Sequence, residues 1–153
     1  MKCLLIVYHS QSGATASLAE DVYAGATDPL VENVEVRLKR AVDADARDLL
    51  WANGIIVGTP ENFGYMSGAM KDFFDRTFYA VEGRIQPLPA AYFIKAGNDG
   101  TGALRAIRRI ANGYPFHEVQ EPVIVPGDVT ATHRERCREL GLALAAGLDA
   151  GIY

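Results

Sequence analysis

Short apolar runs alternate with segments of helical periodicity along the whole chain. The runs that predict strands cover residues 3–8, 34–38, 54–58, 90–96 and 119–125. The first, third and fourth of them are almost wholly apolar, which is typical of strands buried on both faces. This pattern predicts a parallel sheet that helices cover on both sides.

Apolar residues at helical spacing fill the segments between these strands. Stripes run from Ala14 to Val22, from Met66 to Thr77 and from Leu104 to Ala111, a shorter helix is predicted over 43–51, and a last one follows Asp128. Five β–α units in this order predict an α/β fold with a doubly wound five-stranded parallel sheet. No linker or repeat interrupts the alternation, so residues 1–153 are expected to form one domain.

The composition favours an ordinary globular domain and argues against a nucleic-acid-binding protein. Hydrophobic residues make up 49% of the 153 residues and charged residues 22%, the balance of an ordinary globular domain. Fifteen Lys and Arg against 19 Asp and Glu leave a formal charge of −4. Nucleic acids are bound mainly through clustered basic charge, so a nucleic-acid partner is not expected.

The length of the first apolar run, residues 3–8, indicates the compartment in which the protein is expected. It is far shorter than the roughly 20 residues that span a bilayer, and too short for a signal-peptide core. We therefore expect a cytoplasmic protein without a membrane partner. Cys3 and Cys137 lie far apart without Cys-x-x-Cys spacing and are interpreted as buried thiols.

The candidate chemistry lies where the strands end, because ligands of open α/β sheets bind beyond the carboxyl ends of the strands. The glycine-rich dinucleotide motif is missing after the first strand, and no Gly-x-x-x-x-Gly-Lys or Gly-x-Ser-x-Gly run is present. The three histidines lack metal-ligand spacing, so no metal site is expected.

The segment after the first strand, residues 10–15, leads directly into a predicted helix. Three hydroxyl side chains and one glycine lie at a helix N-terminus, where free N–H groups and the positive end of the helix dipole favour an anion. No Lys or Arg lies in the segment, which suits one terminal phosphomonoester better than a polyphosphate. Alternatively, Ser12 is simply the N-cap of the helix.

The segment after the third strand, residues 59–76, begins Thr-Pro-Glu-Asn-Phe-Gly and continues into the second helical stripe. Residues 10–15 resemble the phosphate loop of flavodoxins, and residues 59–76 closely resemble the flavin loop and following helix of the flavodoxin-like NAD(P)H:quinone and FMN reductases. This resemblance implies the flavodoxin-like strand order 2-1-3-4-5 and an FMN cofactor. It is specific over residues 5–19 and 55–77, and positional elsewhere.

The resemblance also implies which residues bind FMN. The first loop would bind its phosphate through Ser10, Gln11, Ser12, Gly13, Ala14 and Thr15. The second would pack along the isoalloxazine ring through Thr59, Pro60, Glu61, Asn62, Phe63 and Gly64. A third, less similar loop would border the pyrimidine side of the ring through Gly97, Asn98, Asp99 and Gly100. Ala14 stands where many relatives carry Asn, so one side-chain donor to the phosphate is missing.

Two aromatic residues and six arginines have simpler interpretations. Phe73 and Phe74 lie on a helical stripe and are interpreted as core rather than as an aromatic box around a ligand. The arginines are interpreted as solvated helix faces, with a clamp for a nicotinamide phosphate as the alternative; they are Arg105, Arg108, Arg109, Arg134, Arg136 and Arg138.

Two functions from different classes fit this resemblance. An NAD(P)H-dependent oxidoreductase that reduces a quinone or another small acceptor needs one face of the flavin open to its donor. The segment 97–102 contains no aromatic residue, which favours this function. A flavodoxin-type electron carrier without a substrate of its own is the alternative, although −4 is a weak charge for electrostatic docking. A homo-oligomer could complete a substrate pocket in so short a chain, and no side chain is assigned as catalytic.

Overall fold

The computed structural model describes all residues from Met1 to Tyr153. The strands are β1 (Lys2–Tyr8), β2 (Val34–Arg40), β3 (Gly54–Asn62), β4 (Tyr65–Met66), β5 (Leu88–Ala96), β6 (Phe116–Glu118) and β7 (Val123–Pro126). The helices are α1 (Ala14–Ala26), α2 (Ala46–Trp51), α3 (Gly68–Val81), α4 (Thr101–Ala111) and α5 (Ala131–Asp149).

The sheet has the order β2-β1-β3-β5-β6, and β7 also pairs with β5. Every pairing among these six strands is parallel, whereas the two-residue β4 forms an antiparallel hairpin with β3. The predicted order 2-1-3-4-5 is confirmed, with β5 as the fourth strand and β6 and β7 together in the fifth position. The fold is flavodoxin-like, and the carboxyl ends of β1, β3 and β5 lie side by side at one edge.

Helices cover both faces of the sheet, and successive side chains of each strand point to opposite faces. Leu5 and Val7 of β1 pack with α2, α3 and α4, whereas Leu4 and Ile6 pack with α1 and α5. The central strands are therefore apolar at nearly every position, as the sequence predicts. Phe73 and Phe74 are 0% and 2% exposed, which confirms that they are core residues.

The predicted fifth strand, 119–125, is wrong in its extent. Ala90 of β5 pairs with Glu118, and Phe93 pairs with Val123, so three steps along β5 correspond to five steps along the edge chain. The polar residues Gln120 and Glu121 leave the sheet there, and Pro122 has no N–H group to donate to a ladder. This edge of the sheet therefore consists of two short strands, β6 and β7, and the residues between them belong to neither strand.

Helix starts differ from the predicted ones where a cap decides the boundary. The helix predicted over 43–51 begins at Ala46, because Asp45 and Asp48 form a reciprocal capping box at its N-terminus. Met66 was placed on the second helical stripe but belongs to β4, and α3 begins after Ser67, whose hydroxyl accepts the Met70 N–H.

Helices α1 and α5 approach each other through glycines. A Cβ on Gly25 would lie 1.8 Å from the Arg138 carbonyl oxygen, and one on Gly141 would lie 1.9 Å from the Val22 carbonyl oxygen. Cys137 is buried on the same interface, and burial raises the pKa of its thiol to about 12. Cys3 is only half-buried. No helix combines the length and the apolar character needed to cross a bilayer.

Candidate functional site

The first loop, residues 9–13, connects β1 to α1 at the carboxyl edge of the sheet. Gly13 adopts φ +100°, a conformation that favours glycine, and a Cβ there would meet no atom within 4 Å. The Ser10 hydroxyl accepts the Gly13 N–H at 3.1 Å. The first helical bond follows at once, from the Ser17 N–H to the Gly13 carbonyl at 3.0 Å. The N-terminus of α1 therefore faces the first loop.

The N-terminus of α1 differs from those of the other four helices. In α2, α3 and α5 the first-turn N–H groups donate to the side chains of Asp45, Ser67 and Thr130, and in α4 they donate to the carboxylates of Asp99 and Glu61. In α1 the cap position is Gly13, and no side chain accepts a first-turn N–H. The interpretation of Ser12 as a simple N-cap is therefore wrong. Ala14, Thr15 and Ala16 present N–H groups with no acceptor in the chain.

The side chains of the first loop complete this donor set. Thr15 is only 2% exposed, and its hydroxyl makes no hydrogen bond within the chain; since no buried side-chain oxygen lacks a partner, this hydroxyl is the part of Thr15 that reaches the surface. Ser12 is exposed, and its hydroxyl is also free of internal partners. Free N–H groups at a helix N-terminus with adjacent hydroxyls suit a phosphate monoester, and the absence of a Cβ at Gly13 gives it room.

A cavity of about 340 Å³ lies beside this loop on its β2 side. Its lining includes His9, Ser10 and Gly13 of the loop, together with Arg40 and Val42 from the end of β2. Arg40 forms an ion pair with Asp43 at 2.9 Å, which raises the pKa of its guanidinium. A cavity of about 440 Å³ below the amino ends of the strands contains no residue of the three loops.

The second loop, residues 59–64, begins with the last four residues of β3, so the strand predicted over 54–58 is four residues too short. Hydrogen bonds of Thr59 hold this segment in place. Thr59 is completely buried, and its hydroxyl accepts the Ser67 N–H at 3.0 Å and donates to the Pro60 carbonyl at 2.8 Å. Ser67 in turn caps α3 through the Met70 N–H. Thr59 is one of the predicted contacts of the isoalloxazine ring. Its side chain is buried inside the second loop instead, where its two hydrogen bonds hold the backbone.

The tip of the second loop carries exposed aromatic side chains. Phe63 has φ +51°, rare for a residue with a side chain, and its ring is fully exposed. Tyr65, two residues later, is 42% exposed. Between them, the Gly64 carbonyl packs against Gly102 in the first turn of α4. A Cβ on Gly102 would lie only 2.1 Å from the Gly64 carbonyl oxygen.

The third loop, residues 97–100, leads into α4. Gly97, Asn98 and Asp99 are exposed, whereas Gly100 is buried at φ +73° against Ile124. Asp99 accepts hydrogen bonds from the backbone N–H and the hydroxyl of Thr101, which lowers the pKa of its carboxyl group. Asp99 therefore caps α4, and no aromatic side chain lies on this loop.

The structure connects all three predicted loops. The Asn62 amide donates to the Gln11 side chain at 3.3 Å, which joins the second loop to the first. The Glu61 carboxylate accepts the Ala103 N–H at 3.0 Å, which joins the second loop to the helix that follows the third. The predicted site residues are thus brought to one edge of the sheet.

Three residues beside the loops were missed by sequence reasoning. Arg40 ends a strand of another β–α unit, and no local signal indicates that it lines the cavity beside the first loop. Gly102 and Ala103 are ordinary first-turn residues whose roles depend on contacts with the second loop. The unusual Gly-Thr-Gly sequence at 100–102 is the one local signal of close packing there.

Comparisons with known proteins agree with this geometry. Residues 9–130 match the model of a family described as NADPH-dependent FMN reductase. A flavodoxin of Aquifex aeolicus is 33% identical over 93% of this chain and 84% of its own length. An NAD(P)H dehydrogenase (quinone) of Acidithiobacillus ferrooxidans is 28% identical over 85% of this chain and 74% of its own. A solved flavodoxin from the domain Archaea superposes with a TM-score of 0.82 at 24% identity, covering 95% of this chain and 98% of that one.

Proposed function

The chain belongs to the family described as NADPH-dependent FMN reductases, and on this premise we propose that it binds FMN and catalyses the NAD(P)H-dependent reduction of a quinone or another small acceptor. The observation that carries the proposal is the N-terminus of α1, the one helix start whose first-turn N–H groups meet no side-chain acceptor. It lies in the loop that the resemblance assigns to the FMN phosphate.

The phosphate would be held by donors without a formal charge. The N–H groups of Ala14, Thr15 and Ala16 and the hydroxyls of Ser12 and Thr15 are free to donate to it. Each charge-assisted hydrogen bond contributes about 1.5 to 3 kcal/mol, and the positive end of the α1 dipole adds to the attraction. The phosphate group should therefore account for much of the affinity for the cofactor.

The isoalloxazine ring would lie between the second and third loops. Pro60, Asn62 and Phe63 of the second loop and Gly97 and Asn98 of the third loop would border it. The second loop supplies an exposed aromatic ring, whereas the third loop supplies none. One face of the flavin is then left accessible to a second small molecule, as hydride transfer requires.

The protein's part in the reaction is binding and orientation. When bound, FMN would supply the redox chemistry, as hydride acceptor for a reduced nicotinamide and as electron donor to the small acceptor. The first loop fixes one end of the cofactor through its phosphate, and the second and third loops fix the plane of the ring. No side chain is assigned the role of a general acid or base.

A flavodoxin-type electron carrier is the second candidate function. It is favoured by the 33% identity to the Aquifex flavodoxin, which extends over nearly the whole chain. The third loop favours the reductase instead, because a carrier gains from aromatic side chains that shield both faces of its flavin. A small-molecule acceptor, a protein redox partner and a homo-oligomer that completes the pocket all remain proposals for this chain.

Titration of the protein with FMN, riboflavin and FAD tests the cofactor directly. Riboflavin lacks the phosphate, and FAD carries a diester in place of the terminal monoester. If about two charge-assisted hydrogen bonds are lost, riboflavin should bind at least about 100-fold more weakly than FMN. Equal affinity for FMN and riboflavin would show that the N-terminus of α1 is not a phosphate site.

A further inference from the structure

We infer that Glu61 is a positioning residue that fixes the second loop to the helix after the third loop, and that it is not a ligand of the flavin ring. The inference rests on the proposed function only for the place of the ring between these loops. The connection itself is a property of the chain and can be tested without flavin.

The first contact is a hydrogen bond between residues 42 positions apart. The half-buried Glu61 carboxylate accepts the Ala103 N–H in the first turn of α4 at 3.0 Å. Helix α4 follows the left-handed Gly100 and has no cap from its own N-cap side chain. A helix N-terminus favours a negatively charged acceptor, so Glu61 serves as a cap supplied by another loop.

The second contact brings two glycines together beside this hydrogen bond. A Cβ on Gly102 would lie 2.1 Å from the Gly64 carbonyl oxygen and 2.8 Å from its carbon, so only glycine fits at this approach. Gly64 itself has φ +70°. The second loop therefore meets the first turn of α4 at two points, one polar and one steric.

These contacts decide where an added anion can bind. Asp99 and Glu61 together occupy the N–H groups of Thr101 and Ala103, so the N-terminus of α4 already faces two carboxylates. The N-terminus of α1 faces none. A phosphate is therefore expected at α1, and the role of Glu61 is to hold the ring-side loops in one connected body.

Flavin affinities of Glu61 variants test whether Glu61 acts on the ring site, and hydrogen exchange in flavin-free protein separates positioning from direct contact with the ring. Glu61→Ala removes the acceptor, and we expect FMN and riboflavin affinities to fall by the same factor, about tenfold, because the ring site loosens while the phosphate site is unchanged. Glu61→Gln keeps an acceptor oxygen and should stay within about threefold of the wild type. Glu20→Ala, at an exposed glutamate of α1, is the matched control and should change neither affinity.

Three outcomes of this titration would overturn the inference. They are unchanged affinities in Glu61→Ala, a loss of FMN affinity without a loss of riboflavin affinity, and a loss in Glu61→Gln as large as in Glu61→Ala. Gly102→Ala acts on the steric contact alone, and it should weaken both flavins in the same way as Glu61→Ala.

Hydrogen exchange of the Ala103 amide in flavin-free protein gives a second readout. Protection should fall at least tenfold in Glu61→Ala, persist in Glu61→Gln, and stay unchanged in Glu20→Ala. Unchanged protection in Glu61→Ala would show that the hydrogen bond does not hold the loop, and would overturn the inference. If the wild type binds no flavin, the proposed function fails, whereas the exchange experiment still decides the role of Glu61.

Discussion

The side-chain amide of Asn62 donates a hydrogen bond to the side-chain carbonyl of Gln11 across 3.3 Å. These residues are 51 positions apart: Gln11 lies in the loop after β1, and Asn62 lies at the carboxyl end of β3, the adjacent strand of the sheet. With the bond from Ala103 to Glu61, a continuous connection runs from the first loop through the second to the start of α4. The candidate flavin site is therefore built from loops that already support one another.

Ser12→Asp tests the first loop as the phosphate site. The new carboxylate would face the phosphate, and like charges about 4 Å apart repel by about 1 kcal/mol in water and several times more near a protein surface. We expect FMN affinity to fall tenfold or more while riboflavin affinity changes little. Thr132→Asp in the first turn of α5 adds the same charge at another helix start and should leave FMN binding unchanged. Equal FMN affinity in Ser12→Asp and the wild type would place the phosphate elsewhere.

Gly25→Ala tests the close packing of α1 on α5. Its Cβ would lie 1.8 Å from the Arg138 carbonyl oxygen, and a backbone atom cannot move aside as a flexible side chain can. We expect the free energy of unfolding to fall by about 3 kcal/mol or more, measured by urea denaturation. Gly68→Ala at the start of α3 meets open space and should change stability by less than about 1 kcal/mol. Similar midpoints for both variants would mean that the two helices are farther apart than described.

Asp99→Asn tests the cap that ends the third loop. Hydrogen bonds from Thr101 lower the pKa of Asp99 below its ordinary value in the folded protein. A lowered folded pKa stabilises the protein above the unfolded pKa of about 3.9, and this stabilisation is lost as pH falls through the folded value. The variant should lose less stability than the wild type on acidification through this range, measured by thermal unfolding. Asp128→Asn, at a carboxylate that accepts no hydrogen bond within the chain, should follow the wild-type curve.

The sheet could be predicted from the sequence because its order depends on local patterns. Strands β1, β3 and β5 are continuous apolar runs, and the helices between them show clear stripes, so the number and sequence of the β–α units were evident. Pro122 is a local signal of the break between β6 and β7, but the extent of the break could not be predicted, because it depends on the register of Glu118 and Val123 against β5. A two-residue strand such as β4 leaves no periodicity to detect.

The site could be predicted only as far as its chain segments. The three loops were placed by the strand ends they follow, and the structure brings them to one edge. The bond between Glu61 and Ala103 and the contact between Gly64 and Gly102 join distant segments, which no local pattern reveals. The lack of a side-chain cap on α1 could not be predicted either. Ser12 is a residue type that is common at N-caps, but the N-cap position is Gly13.

Asn98→Trp tests whether one flavin face is open. Asn98 is exposed on the third loop beside Gly97, where a Cβ would meet no atom within 4 Å. An indole at this position should stack on the ring, keep or tighten FMN binding, and slow reduction by a nicotinamide. Asn112→Trp at the far end of α4 adds the same side chain away from the site and should leave the rate unchanged. Equal rates in both variants would mean that the donor does not approach from the third loop.

Direct reduction of the FMN-loaded protein by nicotinamides tests the proposed activity most directly. Excess NADPH and excess NADH are mixed separately with the protein in an anaerobic stopped-flow instrument, and the flavin absorption is followed before and after a small quinone is added. The reductase function predicts that at least one donor bleaches the flavin and that the quinone restores its absorption. If the protein binds FMN but neither donor reduces it, the reductase function is contradicted and the electron carrier is favoured.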